Sequence, residues 1–234
     1  MKITQLFKIY WPDNGCGIEK VVESIADSFS DCEQEIIVCQ NSRKKKKVYE
    51  KYNGIAVCRC RQMMDLASTP VSLQFLRDVK KRTKDSDIVI YHFPYPMADL
   101  AVLFGMYSGR LVVWWHCGLE KYKKLEFLYR LLVRHTLKKA DRILVSSKGN
   151  LENSAILEPF KKKCSVIPFC VSAEYLQRGM RYAAAAMDEL TGNEQLRREY
   201  GANALRIIQR EYTQKRMVQR YRKVFRKLRM QKPG

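Results

Sequence analysis

Short apolar runs alternate with segments of helical period through residues 1–170, and this alternation limits the folds open to the chain. The helical segment GIEKVVESIADSF, for example, puts Ile18, Val21, Val22, Ile25 and Phe29 on one face. Strands and helices in strict alternation predict an α/β fold, a parallel sheet with helices on both faces. The principal apolar runs are ITQLFKIY (3–10), QEIIVCQ (34–40), IVIYHF (88–93), RLVVWWHC (110–117), DRILVSS (141–147) and CSVIPF (164–169).

Two regions depart from this alternation. VYEKYNGIAVCRC (48–60) contains Asn53-Gly54, a dipeptide typical of a tight hairpin turn. Residues 182–234 contain two helix-like segments and no convincing strand. In the second of these segments an apolar stripe, Met217, Tyr221, Val224 and Leu228, runs among arginines and lysines, which predicts a helix with one cationic face.

The charge of the chain indicates the kind of partner it prefers. It has 44 Lys+Arg against 24 Asp+Glu, a formal net charge of +20. RKKKK (43–47), the helical segment LEKYKKLEFLYRLLVRHTLKKA (119–140) and the C-terminal helix together predict a cationic surface suited to anionic lipid headgroups. The same positive charge could also bind nucleic acid. The sequence has no helix-turn-helix, zinc-finger spacing or RNP-type motif, so nucleic acid is not the expected partner.

The cysteines and the N-terminus indicate a reducing compartment. None of the eight cysteines forms a Cys-x-x-Cys pair and several fall in apolar runs, a pattern of reduced, buried thiols. The CRC pair at 58–60 has no histidine near it in sequence, so we expect no metal there. MKITQLFKIYW is too short and too polar for a signal peptide, and no apolar run reaches ~18 residues. We therefore expect a cytoplasmic protein, soluble or peripheral to a membrane.

The loop after the first apolar run is the first candidate for binding. In open parallel sheets, ligands sit beyond the carboxyl ends of the strands. There, in WPDNGCGIEK, Gly15 and Gly17 would let the backbone approach a bulky anion, and Gly17 opens a helix whose free N–H groups attract phosphate. The pattern lacks the third glycine of a dinucleotide fingerprint and the Lys-Ser/Thr of a P-loop. A tight strand-to-helix corner is the alternative interpretation.

Histidines give the second candidate. His116 ends the run LVVWWH, where a neutral imidazole could bind a sugar hydroxyl or a phosphate oxygen in the same crevice. His92, after IVIY, is a weaker candidate of the same kind. His135 lies among arginines in a helical segment, and we expect it on the surface.

With these features placed, the chain resembles glycosyltransferase family 4, whose members have the GT-B fold. The resemblance covers residues 1–176 and rests on four motifs in order: IYWPDNGCGIEKVVESIA, VVWWHCGLEKYKKL, ADRILVSSKGNLENS and CSVIPFCVS. It implies that residues 1–176 form the Rossmann-like, acceptor-side N-terminal domain. Residues 177–234 then resemble the family's closing helices, a helical remnant expected to pack back on that domain.

The resemblance also implies an activity and roles for the candidate residues. Family members transfer a sugar from a nucleotide sugar to a glycan or lipid-linked acceptor, usually with retention and without a metal or other cofactor. Gly15 and Gly17 would line the cleft near the donor diphosphate, and His116 would contact the transferred sugar or its phosphate. Many members act at the cytoplasmic face of the membrane, which suits a cationic surface.

The chain departs from the family pattern in several ways. Cys16 stands where the family often has another glycine, and FCVS replaces the usual crossing between the domains. Only 58 residues follow Leu176, whereas a second domain needs well over ~100. No two glutamates are eight positions apart, so the Glu-x7-Glu donor motif is absent. We therefore expect an internally shortened enzyme that works with reduced machinery or needs a partner for the missing half, or a non-catalytic module that binds an acceptor or a membrane surface.

Overall fold

The computed structural model describes residues 1–13, 17–44, 46–66, 69–118, 126–169 and 194–230. The chain divides into two compact units, the first formed by Met1–Val166 with Lys227–Gly234 and the second by Ile167–Arg226. The expected domain boundary between residues 176 and 177 lies outside the described residues.

The first unit contains a mostly parallel sheet, as the alternation predicts. In the described residues its eight strands are β1 (Lys2–Leu6), β2 (Glu33–Cys39), β3 (Val48–Tyr52), β4 (Ile55–Cys60), β7 (Ile88–Phe93), β8 (Arg110–Trp115), β9 (Arg142–Val145) and β10 (Cys164–Val166), and β5 (Met64–Asp65) pairs separately with β6 (Pro70–Val71). The order of the strands in the sheet is β10-β9-β8-β7-β1-β2-β4-β3. Every neighbouring pair is parallel except β3 and β4.

Helices connect most of these strands. They are α1 (Gly17–Ser28), α2 (Leu73–Arg82), α3 (Pro96–Leu103), α4 (Glu126–Lys139) and α5 (Lys148–Glu152), with a 3₁₀ helix at Glu158–Lys163 before β10. Of the long segment 119–140 predicted to be helical, residues 126–139 are helix in α4, and residues 119–125 lie outside the described part of the chain.

Alternate residues of the strands bury opposite faces of the sheet, because side chains along a strand point to opposite sides. Leu6, Tyr91 and Val113 belong to the larger apolar cluster, which includes residues of α2, α3 and α4. Ile36 and Val38 belong to a smaller cluster with Val22 of α1. The predicted helices on both faces of the sheet are therefore confirmed.

Local sequence signals determine the turn between β3 and β4 and the first residue of α2. Asn53 and Gly54 have φ of 48° and 80°, as a two-residue hairpin turn between β3 and β4 requires. Helix α2 begins at Leu73, because the Ser72 side chain caps it by accepting a hydrogen bond from the backbone N–H of Phe75 at 3.1 Å. Pro70 forms part of β6.

The C-terminal region contains two helices, α6 (Glu194–Glu211) and α7 (Gln214–Met230). The apolar stripe of α7 is buried at Met217, Tyr221, Phe225 and Leu228, so Phe225 takes the buried place predicted for Val224, which is half-buried. The exposed cations of α7 are Lys215, Arg216, Arg222, Lys223, Arg226, Lys227 and Arg229. The predicted segment 182–192 lies outside the described residues, and no described helix is long and apolar enough to cross a membrane.

Candidate functional site

Three polar side chains from neighbouring strands meet near the carboxyl end of the sheet. Gln5 lies on β1, His92 on β7, and His116 directly follows β8. The three strands are adjacent and parallel, so their carboxyl ends share one edge, the edge where open α/β sheets bind ligands. The sequence suggested His116 and His92, but it gave no reason to select Gln5.

A hydrogen bond joins the two histidines. The Nδ1 atom of His92 lies 3.0 Å from the Nε2 atom of His116, and their rings are stacked with centroids 5.3 Å apart. The His116 ring also stacks on Trp114, with centroids 4.5 Å apart and planes 2° from parallel. These contacts on a buried strand end give the His116 ring a fixed orientation.

Gln5 continues the chain of hydrogen bonds away from the histidines. Its Nε2 donates to the backbone carbonyl of Val22 in α1 at 3.0 Å, and its Oε1 lies 2.9 Å from Nε2 of His92. Gln5 and His92 are both almost completely buried. We call Gln5, His92 and His116 the histidine relay.

Both histidines of the relay are neutral at physiological pH. Burial lowers the pKa of His92 well below its usual range, and proximity to His116 lowers it further. Burial also lowers the pKa of His116, to about 3. A protonated ring here would lose its hydration without any carboxylate in the relay to compensate, so the uncharged imidazole is the stable form.

A cleft of about 280 Å³ lies beside the end of β8. Residues with polar side chains line much of it, including a guanidinium and two amides, a combination suited to sugar hydroxyls or phosphate oxygens. Its lining residues are Trp115, His116, Cys117, Gly118, Arg130, Asn150, Asn153, Ser154, Ala155 and Ile156. His135 of α4 is not among them and is half-buried rather than on the surface.

The glycine loop is described only in part. Gly15 lies outside the described residues, whereas Gly17 is the first residue of α1. A Cβ atom added at Gly17 would meet nothing within 4 Å. Packing within the described residues therefore does not require a glycine at this position.

Arg59 holds the chain that leads into the glycine loop. Its guanidinium donates to the backbone carbonyl of Tyr10 at 3.2 Å and to that of Trp11, and to the Glu50 carboxylate at 2.5 Å. The Arg59 side chain is only 4% exposed. The sequence gave no signal for this role, because a single arginine between two cysteines of a strand says nothing about a loop 48 residues away.

The cysteine pair, Cys58 and Cys60 of β4, belongs to a buried polar cluster with Asp78 of α2. Ligand atoms of Cys58, Cys60 and Asp78 lie within 4.8 Å of one another. The Asp78 carboxylate already accepts a hydrogen bond from Lys47 at 2.6 Å and lies 3.7 Å from the Arg82 guanidinium. These cations neutralise the carboxylate, so the cluster has the composition of a buried ion-pair network with adjacent thiols.

Comparison with known proteins assigns the chain to a family. The sequence profile of Glycosyltransferase Family 4 matches residues 15–175, more than half of the chain. The chain therefore belongs to glycosyltransferase family 4, as the four motifs predict.

Two curated relatives act on sugars. The chain is 31% identical over 184 residues to O-antigen chain mannosyltransferase C of Escherichia coli, covering 79% of this chain and 50% of the relative. It is 28% identical over 169 residues to D-rhamnosyltransferase WbpZ of Pseudomonas aeruginosa, covering 72% of this chain and 44% of the relative. The chain thus spans about half the length of the curated relatives it matches.

Solved structures show the same fold at low sequence identity. An Escherichia coli structure described as trehalose-6-phosphate bound with UDP-2-fluoro glucose matches with a TM-score of 0.52 and 10% identity, over 75% of this chain and 50% of that one. An α,α-trehalose-phosphate synthase (UDP-forming) from Burkholderia xenovorans matches with a TM-score of 0.50 and 8% identity, over 81% and 53%. The sheet is therefore the Rossmann-like α/β half of a GT-B fold.

Proposed function

We propose that this chain forms the acceptor-side half of a glycosyltransferase that transfers a sugar from a nucleotide sugar to a glycan or lipid-linked acceptor in polysaccharide or glycolipid synthesis. The observation that carries the proposal is the fixed, neutral His116 ring beside a polar cleft at the carboxyl end of β8, in a chain of this family. The activities for which the two curated relatives are named, mannosyl and rhamnosyl transfer, support it.

The transfer exchanges one glycosidic bond for another. The bond between the sugar's anomeric carbon and the donor phosphate oxygen breaks, a bond to the acceptor oxygen forms, and the proton of the acceptor hydroxyl passes to the departing nucleoside diphosphate or to solvent. Gly15 and Gly17 are proposed to lie near the donor diphosphate, because free N–H groups at the start of α1 attract anions. His116 is proposed to contact the transferred sugar or its phosphate. We expect the transfer to proceed with retention and to require neither a metal nor another cofactor.

The length of the chain bears on whether it acts alone. Neutralising a leaving diphosphate requires positioned cations or N–H donors on the donor side of the cleft. Because the chain spans about half of its curated relatives, we propose that a region corresponding to their other half supplies most of the donor site. The alternative is a non-catalytic module that binds an acceptor or a membrane surface.

The exposed cations of α7 favour a site of action at the inner face of a membrane. Opposite its buried stripe, α7 presents cations such as Lys223, Arg226 and Lys227 to solvent. A helix with this distribution is attracted to anionic lipid headgroups. We propose a cytoplasmic protein that associates peripherally with anionic membrane, and nucleic acid is not a proposed partner.

Calorimetric titration of the full chain with UDP-, GDP- and ADP-sugars tests the proposal. Binding of at least one donor, weakened by about three- to tenfold in His116→Ala, would support it, since one hydrogen bond is worth about 0.5–1.5 kcal/mol and tenfold corresponds to ~1.4 kcal/mol. His135→Ala, a histidine outside the cleft lining, is the matched control and should bind as the unmodified chain does. Folded protein that takes up no donor would overturn the donor role and leave the acceptor or membrane module.

A further inference from the structure

The orientation of the Gln5 amide is determined by the backbone. The Val22 carbonyl can only accept a hydrogen bond, so the atom of Gln5 that lies 3.0 Å from it must be the amide nitrogen. Reversing the amide would place two oxygens together in a buried site and leave both without a donor, which is costly. The Gln5 oxygen therefore faces Nε2 of His92.

The orientation of the Gln5 amide determines which ring nitrogen carries the hydrogen, first in His92 and then in His116. Nε2 of His92 must carry the hydrogen, because its partner, the Gln5 oxygen, can only accept. A neutral imidazole has one N–H group, so Nδ1 of His92 is an acceptor. Nε2 of His116, 3.0 Å away, must then donate, which leaves Nδ1 of His116 without a hydrogen.

We infer that Gln5 and His92 are positioning residues that hold His116 in its Nε2–H tautomer, so that its remaining ring nitrogen can only accept a hydrogen bond. The chain of hydrogen bonds begins at the Val22 carbonyl of α1, the helix that follows the glycine loop, and ends at His116 beside the cleft. Neither Gln5 nor His92 is among the residues that line the cleft.

The inference narrows what His116 can recognise, and in this respect it rests on the proposed function. An imidazole nitrogen that can only accept selects a hydroxyl of the sugar, which can donate, over an ionised phosphate oxygen, which cannot. Nδ1 of His116 is itself buried, so this selection applies to a hydroxyl that enters far enough to reach it; where one does, His116 contacts the sugar moiety of the donor rather than its diphosphate. A tautomer with hydrogen on Nδ1 would have the opposite preference.

The tautomers can be measured without any ligand. Long-range ¹H–¹⁵N correlation spectra of the histidine-labelled full chain distinguish protonated from bare ring nitrogens, and His116→Gln, His92→Gln and His135→Gln assign the signals. We expect Nε2 protonated and Nδ1 bare in both His92 and His116. A protonated Nδ1 on His116 would overturn the inference, whether or not the chain binds a donor.

Variants of Gln5 test whether the hydrogen bonds of the relay determine the tautomers of His92 and His116. Gln5→Leu removes the acceptor, and we expect the Nε2–H signals of His92 and His116 to be lost or redistributed between the two ring nitrogens. Gln5→Glu, protonated in this buried site so that its hydroxyl donates to the Val22 carbonyl, keeps an oxygen facing His92 and should preserve both tautomers. Thr4→Val is the matched control, because it removes a buried hydroxyl of the same strand, bonded to Ser86 at 2.7 Å, without touching the relay. Unchanged histidine signals in folded Gln5→Leu would contradict the positioning role.

If a nucleotide sugar binds, the binding affinities of His116→Ala show which part of the ligand His116 contacts. His116→Ala should weaken binding of the nucleotide sugar by about three- to tenfold, the worth of one hydrogen bond, and leave the affinity for the free nucleoside diphosphate unchanged. Equal weakening of both would overturn the assignment to the sugar. Absence of donor binding would contradict the proposed function alone, since the spectra decide the tautomers independently.

Discussion

Trp114 and His116, two residues apart at the end of β8, stack with ring centroids 4.5 Å apart and planes 2° from parallel. The stacking on Trp114 and the hydrogen bond to His92 hold the His116 imidazole in a buried position, where its charged form is poorly solvated. The consequence is a histidine that is neutral and fixed, which is a state suited to recognition by hydrogen bonding rather than to carrying charge.

Acid should destabilise the protein partly through His116. Its pKa is lowered from 6.5 to about 3 in the fold, so on acidification the unfolded chain binds the proton first. The stabilisation is present above pH 6.5 and is lost as pH falls toward 3, at up to about 1.4 kcal/mol per pH unit. Urea unfolding across this range should show a shallower loss in His116→Gln. Thr4→Val should lower stability by a similar amount at every pH, and a His116→Gln curve parallel to that of the unmodified chain would contradict the prediction.

Asp99 should have the opposite pH dependence. It is fully buried and accepts hydrogen bonds from Tyr91 at 2.8 Å, Tyr129 at 3.0 Å and Thr136 at 2.8 Å. Burial raises its pKa from 3.8 to about 7 despite these three donors. Its contribution to stability is therefore present below pH 3.8 and lost as pH rises through 7.

The substitution Asp99→Asn should remove this dependence and cost about 1–3 kcal/mol in the acid range, because an amide cannot accept from all three hydroxyls. The deficit relative to the unmodified chain should shrink as the pH rises to neutrality. Asp85→Asn, at an exposed carboxyl, should change stability by less than about 0.5 kcal/mol. A deficit in Asp99→Asn that is the same at acid and neutral pH would be inconsistent with a raised pKa.

Arg59→Met should destabilise the fold and disturb the loop before the glycines. It leaves the carbonyls of Tyr10 and Trp11 without their donor, at a cost of about 2–4 kcal/mol by urea unfolding. Arg59→Lys keeps the charge but cannot bridge both carbonyls, so it should recover only part of the loss. Arg61→Met, a neighbouring exposed arginine, is the control. Equal stability of the Arg59→Met and Arg61→Met proteins would show that the bridge has no structural role.

Gly17→Ala should separate binding from folding. An added Cβ meets nothing within 4 Å at the start of α1, so stability should be unchanged or higher by up to about 1 kcal/mol. If a diphosphate approaches the backbone here, the added methyl group should weaken nucleotide-sugar binding by about tenfold. Calorimetry and thermal unfolding on the same sample measure both effects. Unchanged affinity would favour the alternative interpretation, a tight corner without a ligand.

Charge removal on α7 tests the proposed membrane contact. Binding to phosphatidylglycerol vesicles should fall steeply between about 0.05 and about 0.5 M salt. Lys223→Gln, Arg226→Gln and Lys227→Gln together should abolish most of it, at roughly 1 kcal/mol per cation. The same number of glutamines at Lys80, Lys81 and Lys84, which are also exposed, gives a control with equal net charge. Equal loss in both triple variants would indicate a general charge effect and not a surface on α7.

Hydrophobic periodicity predicted the sheet, because each strand buries its own apolar residues. The run LVVWW in RLVVWWHC became β8, and GIEKVVESIADSF became α1. Periodicity alone does not locate the start of α2, which the Ser72 cap sets at Leu73.

The relay could not be predicted, because Gln5, His92 and His116 lie on three strands that the sequence separates by many residues. Their approach depends on the parallel register of β1, β7 and β8, which pairs Gln5 with Ile90 and His92 with Trp114. Asp99 gave no signal for a related reason, since it lies in α3 and its three hydroxyl partners come from a strand, β7, and another helix, α4.

The most direct test of the central claim is a titration of the histidine-labelled chain with a nucleotide sugar, followed by ¹H–¹⁵N spectra. We predict saturable shifts of the His116 signals, with smaller shifts of His92 through the relay and none at His135. Saturable donor binding that leaves His116 unmoved, or that moves His135 alone, would contradict the assignment of the cleft beside β8 as the sugar site.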